Sequence, residues 1–510
     1  MVDYRRWGYL CDSTCSSSRN SLPVFFRMAH ISELMKAHNK GTRPLPYGPL
    51  VAFLFLLALP LAWIVLVPLA LFSAAVQYLF VVLIPSAPLV VFQASVAQKD
   101  APSAEEREFD VILYGASGFT GKFAVEHIAK TYLQKGKPAD PILRWAVAGR
   151  SQSALEKVVK EICGDDRATL LPILIAEAND VEAIRRLVRR TKVVISTAGP
   201  FFKYSHEIVR QCAENGTHFA DITGEVDWVA VMIDQHGETA KTTGARIVSC
   251  CGHDSVPWDL TVCMINQELK KKGESTNKVE CYDDIRGAPS GGTLATVASM
   301  IDGGFRSRWI HKQRLAFNPW LQTSAGSKSL TKTKISSPFF PIFSHELKKW
   351  QAFFVMAEVN GKVAQRSNAL LGYNPDGTLV YSEGQVFPDF WTALISVLGL
   401  LIVLPVLFIP PLRAQLFLAP GTGPSRSALE RGFLRIQGKG TGDKGTIVRT
   451  DMYFPRDAGY IDTARMLVEC GVLLAQSKKG GGGGFHTPAS AFGSSLIDRL
   501  KLGGTVFEMK

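Results

Sequence analysis

The chain has 510 residues, 46% of them hydrophobic, which is too long for a single core and too apolar for a disordered tail, so two or more packed domains are expected. Its formal net charge of +12 fits nucleic acid, anionic lipid or an anionic cofactor. The basic residues gather between Arg5 and Arg43, across residues 306–349 and over residues 413–449; two of these groups border long apolar segments, which favours a membrane surface and argues against nucleic acid.

The first 48 residues read as a basic cytosolic extension. No Asp, Glu, Lys or Arg occurs from residue 44 to 98, and residues 50–92 are almost wholly apolar, about twice the roughly 20 residues that one spanning helix needs. Two spans or a hairpin within residues 49–95 are expected, with Pro60, Pro68, Pro85 and Pro88 marking a bend. Two passes return everything after Lys99 to the cytosolic side. Nine cysteines, several inside apolar runs (Cys212, Cys250, Cys251, Cys263), follow no disulfide framework and agree with a reducing compartment. Cys11 and Cys15 lack a second pair, so no metal site is expected.

From residue 108 the pattern alternates. A strand at 110–115 ends in Gly115 and feeds a helix carrying Ala124, Val125, Ile128, Ala129, Tyr132 and Leu133 on one side. A strand at 144–149 follows, then a helix with Leu155, Val158, Val159 and Ile162 as its buried stripe and Ser153 with Glu156 as a capping box. Next come a strand at 170–176, a helix at 181–190, a strand at 193–197 and a helix ending at Gly216, with further strands at 218–222 and 246–250. Strands interleaved with helices specify an α/β fold, a Rossmann doubly wound parallel sheet spanning 108–256.

Beyond Pro257 the regularity weakens to a helix at 260–271, a strand at 278–283, a glycine-rich turn at 287–292, a hairpin of 355–362 with 364–371 and a strand at 446–454. These predict a mixed α/β substrate domain over 257–389 and 413–460. A second charge-free run, 390–412, interrupts it between Asp389 and Arg413. It is just long enough to span, but Pro405, Pro410 and Pro411 make a monotopic insertion or a monolayer hairpin equally consistent, and a buried core helix is the plain alternative. Residues 461–510 close the chain as a helical segment, with the Gly480–Gly484 run as a flexible connector.

The sequence YGASGFTG puts Gly115, Gly118 and Gly121 between the first strand and its helix, where free backbone N–H groups can meet a dinucleotide pyrophosphate. The second strand ends in Gly149-Arg150-Ser151, where an NAD site normally places an acid. A guanidinium with a neighbouring hydroxyl suits a 2′-phosphate instead, so NADP(H) is the expected cofactor; a solvated arginine is the alternative. At the end of the fourth strand, the small residues of Thr197-Ala198-Gly199-Pro200 leave room for the nicotinamide half.

In order, YGASGFTG, AGR, STAGPF, THFADITGE, CGHDSVPWDL and SGGT resemble the saccharopine dehydrogenase-like oxidoreductases, in the membrane- or lipid-droplet-associated branch named trans-acting enoyl reductases. The resemblance covers residues 108–510 and implies cofactor contacts from Gly115, Ser117, Gly118, Phe119, Thr120, Gly121, Arg150, Ala198, Gly199 and Pro200. It also marks Asp221, Gly224, Glu225, Gly252, Asp254, Ser255, Pro257 and Asp259 as core signature. His253 and Trp258 depart from the family pattern and bear on the shape of the substrate pocket.

Hydride transfer also needs a proton donor; His253, Asp254 and Tyr204 end or follow strands at the cofactor edge, and each also has a purely structural explanation. The expected activity is NADP(H)-dependent reduction of a C=C or C=O group of a lipid, in lipid or glycolipid metabolism. It would take place on the cytosolic face of the endoplasmic reticulum, a lipid droplet or another organelle membrane. A catalytically silent NADP-binding membrane scaffold or redox sensor is the second reading. An amino-acid dehydrogenase ranks last: it needs converging arginines, for which Arg286, Arg306, Arg308 and Arg314 are the candidates, and the last three sit in a basic stretch that reads equally well as a lipid-facing surface.

Overall fold

A computed structural model describes residues 44–83, 95–132, 143–164, 171–298, 332–375, 377–419, 421–477 and 482–510. The basic N-terminal extension, Cys11, Cys15, Pro85, Pro88, Leu133, Leu170, Arg306, Arg308 and Arg314 lie outside them.

The first sheet has seven strands in the order β14-β6-β5-β4-β1-β2-β3. Its members are β1 (Phe109–Tyr114), β2 (Trp145–Gly149), β3 (Ile173–Ile175), β4 (Thr191–Ser196), β5 (His218–Asp221), β6 (Arg246–Val248) and β14 (Gly484–His486). All neighbours pair parallel. The order of the first six strands is that of a dinucleotide-binding sheet. Its central strands are apolar on both faces because helices cover both, as in Val111, Ile112 and Leu113, which are essentially inaccessible.

Helix ends follow local chemistry. Asp180 caps the Val181–Arg189 helix by accepting from the Ala183 N–H at 2.9 Å, and Gly216, left-handed at φ 66°, ends the His206–Asn215 helix. The expected capping box at Ser153 and Glu156 is not formed. Ser151 is the cap of the Gln152–Cys163 helix, accepting from Ala154 N–H, and Glu156 instead takes the Gln152 amide at 2.6 Å.

The second sheet has eight strands. They are β7 (Thr276–Arg286), β8 (Lys332–Ser336), β9 (Ile342–Ser344), β10 (Lys349–Ala352), β11 (Thr378–Phe387), β12 (Phe433–Gly442), β13 (Ile447–Phe454) and β15 (Val506–Met509). The path is β15-β13-β12-β7-β11-β10-β9, with β8 also on β11. β7 and β8 run parallel to β11, while β12, β13 and β15 pair antiparallel. Such a mixed sheet is the expected second domain.

Three expectations change here. The hairpin over 355–371 is instead one helix, Ala357–Leu371, which buries Asn360, Gly361, Val363, Ala364, Ser367 and Asn368. That spacing is helical, and Gly361 lets Ile335 of β8 approach it closely. The closing segment does not stand apart: β14 extends the first sheet, β15 the second, and the Thr463–Gln476 helix lies on β4, with Gly471 against Ile195. Finally, Gly483 and Gly484 do not act as a loose connector. Gly484 N–H donates to the Ala245 carbonyl at 2.8 Å as β14 begins.

Residues Gly48–Leu83 form one continuous helix through Pro60 and Pro68, so no chain reversal falls within them. It pairs side by side with the Phe390–Leu407 helix: Gly48 lies against Trp391, and Gly399 against Phe55. Pro405 has no N–H to give the Leu401 carbonyl, and the Trp63 indole N–H donates to that oxygen at 3.2 Å.

Candidate functional site

The carboxyl ends of β1, β2, β4, β5 and β6 open onto a cleft of about 750 Å³, a size suited to a dinucleotide with part of a substrate. At its first wall the chain leaves β1 through Gly115, left-handed at φ 87°, and turns into the Phe119–Tyr132 helix. A Cβ on Gly121 would stand 2.3 Å from the Gly115 carbonyl oxygen, and one on Gly118 3.2 Å from it. Only glycine therefore fits at 121, while a side chain at 118 would crowd the turn, and the first amides of the following helix have no intrahelical acceptors. Ser117, Gly118, Phe119 and Thr120 line the cleft, while Gly121 packs behind it.

Arg150 is exposed at the rim beside Gly149, with Glu177, Ala178 and Asn179 completing that end. No acidic residue occupies the β2 terminus, so the donor set fits a 2′-phosphate. Ser151 is not part of the lining and its hydroxyl caps a helix. Thr197, Ala198 and Gly199 form the floor; Pro200 starts the short Phe201–Tyr204 helix and does not line the cleft. Thr197 Oγ1 donates to the Gly115 carbonyl at 3.0 Å, tying the two edges together.

The three proton-donor candidates all reach the same cleft. His253 is buried; its Nδ1 lies 3.1 Å from Asp254 Oδ1, and its Nε2, itself enclosed, has no hydrogen-bond partner among the described residues. Its backbone N–H donates to Thr463 Oγ1 at 2.9 Å. Trp258 stands behind it, 5.2 Å from ring to ring, stacked on Phe354 and donating its indole N–H to Asp283 at 2.9 Å. The two departures from the family pattern thus pack together as one wall.

The signature acids hold the scaffold. Asp221 accepts from the N–H groups of Thr223 and Cys250, and Glu225 from those of Phe201 and Phe202 at 2.9 and 2.8 Å. Asp259 accepts from the Ser367 hydroxyl and the Ala489 N–H, pinning the closing segment. Burial pushes its carboxyl up to about 7. Since this lies above the unfolded value, the stability Asp259 contributes is complete below about pH 4 and lost as pH rises through about 7. Relative to Asp259→Asn, which does not titrate, the wild-type melting temperature is expected to fall between about pH 4 and 7 and to level off above that. Paired thermal melts check this, and a constant difference would contradict it.

Sequence reasoning missed Thr293, Thr296, Val297, Val355, Met356, Val359, Tyr460 and Thr463, which close the far side. Tyr460 lies on a π-helical turn, Ala458–Asp462; its hydroxyl accepts from the Ser290 N–H and is 2.9 Å from Thr293 Oγ1. Arg286, the one arginine of the amino-acid reading that is described, is exposed and does not line the cleft.

Residues 111–248 match the family model of the saccharopine dehydrogenase NADP binding domain. Over 426 residues, 79% of this chain and 98% of the relative, the chain is 31% identical to a trans-acting enoyl reductase of Mycobacterium leprae. A Mycobacterium tuberculosis relative, provisionally given the same name, is 33% identical over 421 residues, 79% of this chain and 97% of its own length. A saccharopine dehydrogenase (L-Glu forming) from Saccharomyces cerevisiae aligns over 79% of this chain and 99% of its own at 12% identity and a TM-score of 0.44.

Proposed function

The chain belongs to the saccharopine dehydrogenase-like oxidoreductases, in the group that includes the trans-acting enoyl reductases, and on that premise we propose that it reduces an enoyl C=C of a lipid acyl chain at a membrane surface. NADP(H) is its cofactor, and when bound it supplies the hydride.

The observation that carries this reading is the two-ended cleft. One end has the glycine turn and Arg150; the far wall sets apolar Ile222, Val297, Val355, Met356 and Val359 among the hydroxyls of Thr293, Thr296, Tyr460 and Thr463. In this reading the amides after Gly118 hold the pyrophosphate, Arg150 pairs with the 2′-phosphate, and the floor at Ala198 and Gly199 takes the nicotinamide half. The second hydrogen comes as a proton from His253 in its imidazolium form, with Nδ1–H held by Asp254 Oδ1 at 3.1 Å; Nε2–H, enclosed in this structure, reaches the substrate on a turn of the ring.

The membrane part of the proposal rests on the Gly48–Leu83 helix, whose Leu61, Ile64 and Phe72 are each about 70% exposed. A helix apolar on all sides and this open to its surroundings needs lipid around it. The test is NADPH oxidation by the full chain with a short water-soluble enoyl thioester and with enoyl phospholipid in vesicles. Turnover is expected on both. NADPH binding without turnover on either would overturn the reductase reading in favour of the scaffold or redox sensor.

A further inference from the structure

The Phe390–Leu407 helix is about 27 Å long, close to the thickness of a hydrocarbon core, and reads at first as a crossing. A one-way crossing would put the residues before it and after it on opposite sides of the bilayer. In this fold both flanks belong to one body. β11, inside the second sheet, delivers the chain into the helix. After the short Pro410–Leu416 helix the backbone is already back at the cleft: the Ala419 carbonyl lies against Gly291, whose N–H donates to the Thr422 carbonyl at 3.0 Å. Gly423 packs on the Phe119 ring of the glycine turn, and Gly421 lines the cleft itself.

An aromatic strip runs along the second sheet between the root of that helix and the cleft. Phe390 is 4.9 Å from Trp350 and Trp350 is 5.4 Å from Phe343, centroid to centroid. A second group of rings follows in the same segment: Phe353 is 6.0 Å from Phe339, which is 5.1 Å from Phe340, and exposed Ile342, paired with Gln351, lies in the strand between the two groups. Two residues beyond Phe353 is Val355, 63% exposed and part of the cleft wall. Phe340 is 64% exposed. Aromatic side chains of this kind concentrate where protein meets the headgroup and acyl boundary, and a contiguous exposed apolar patch marks a contact surface.

We propose that residues 390–419 dip into one leaflet and return, and that the return limb and the aromatic strip open the cleft directly to that leaflet, so that a long acyl chain enters from lipid without crossing water. This rests on the membrane-surface reductase reading above and adds the route and the topology. The lipid leaflet is the occupant favoured by continuity: the strip ends on Phe390 and Trp391, at the root of a helix that pairs with the lipid-exposed Gly48–Leu83 helix. The outer faces of the Phe390–Leu407 helix, at Val403 and Leu404, are also open.

The test uses the full chain with phosphatidylcholine vesicles in which a fraction of the lipid bears a diazirine in its acyl chain. Vesicle flotation is scored first and separately, because its failure would remove the membrane reading itself. With flotation intact, irradiation is expected to label peptides covering residues 337–356 and 417–424 as well as the long helix; label confined to the long helix would overturn the entrance. Exposed His345 and Ser427, each changed to cysteine, are expected to react with a membrane-impermeant maleimide from the same side. Reaction from opposite sides would overturn the re-entrant path. The exposed change Phe340→Asp is expected to lower turnover of vesicle-borne long-chain enoyl lipid about tenfold while leaving a short soluble enoyl thioester within about twofold. Equal loss on both, or no loss on either, would overturn the route. Absence of turnover on both substrates in the wild type would instead reject the reductase reading, and the labelling result would still stand on its own.

Discussion

Gly118→Asp is expected to weaken NADPH binding by about 100-fold or more while leaving the fold in place. The turn brings position 118 within van der Waals reach of the Gly115 carbonyl oxygen, with an added Cβ 3.2 Å away, so a side chain there must project toward the cleft or displace the turn. Either outcome spoils the anion site, and a carboxylate adds repulsion against the pyrophosphate at a helix N-terminus that favours negative charge from the ligand. Unlike Gly115 at φ 87°, Gly118 does not have a left-handed backbone, so aspartate carries no penalty of that kind. Fluorescence titration with NADPH, beside a thermal melt, checks both halves. Unchanged affinity would mean that the pyrophosphate does not lie on this turn.

Arg150→Ala is expected to raise the NADPH dissociation constant about 30-fold and leave NADH within about twofold. The expectation follows from geometry: Arg150 is exposed beside Gly149 at the end of β2 and lines the cleft, and the β2 terminus carries this arginine in place of an acid, Glu177 approaching the same end from beyond β3. Charged hydrogen bonds from guanidinium to phosphate contribute roughly 2 kcal/mol, which converts to that ratio. The variant should therefore lose discrimination without gaining affinity for NADH. Parallel titrations with the two nucleotides decide the matter, and an equal loss for both would assign Arg150 to the shared diphosphate.

The first sheet was legible because its strands are short apolar runs, buried on both faces and separated by helices whose stripes show at three- and four-residue spacing. The second sheet was only partly so. β12 alternates buried positions with half-buried ones and includes Gly438 and Gly440, which a residue-by-residue reading treats as breaks. The hairpin expected from 355–362 and 364–371 is the Ala357–Leu371 helix, whose buried positions Asn360, Val363, Ala364, Ser367 and Asn368 are spaced for a helix but partly polar, so hydrophobicity does not reveal them; packing against Ile335 and the Asn360 amide bond to Glu383 at 2.8 Å hold it.

The candidate site shows the same division. The glycine turn and Arg150 are local features of one strand-to-helix connection, and sequence spacing exposes them. Thr293, Met356, Tyr460 and Thr463 reach the cleft from distant parts of the chain, and the proximity of Tyr460 to Ser290 joins residues 170 positions apart. The SGGT and DAGYIDTA segments were visible in the sequence as signals, without any indication that they meet. Ser151 has a local role that spacing did not reveal, since its hydroxyl oxygen accepts from the Ala154 N–H as the cap of a helix.

The most direct measurement is isotope transfer: full-chain protein in vesicles is given NADPH deuterated at the nicotinamide C4 and a long-chain enoyl phospholipid, and the acyl product is analysed by mass spectrometry. One deuterium bound to the former β-carbon, from one face of the nicotinamide only, is the predicted result. Bound NADPH that keeps its deuterium in the presence of every enoyl lipid offered would contradict it.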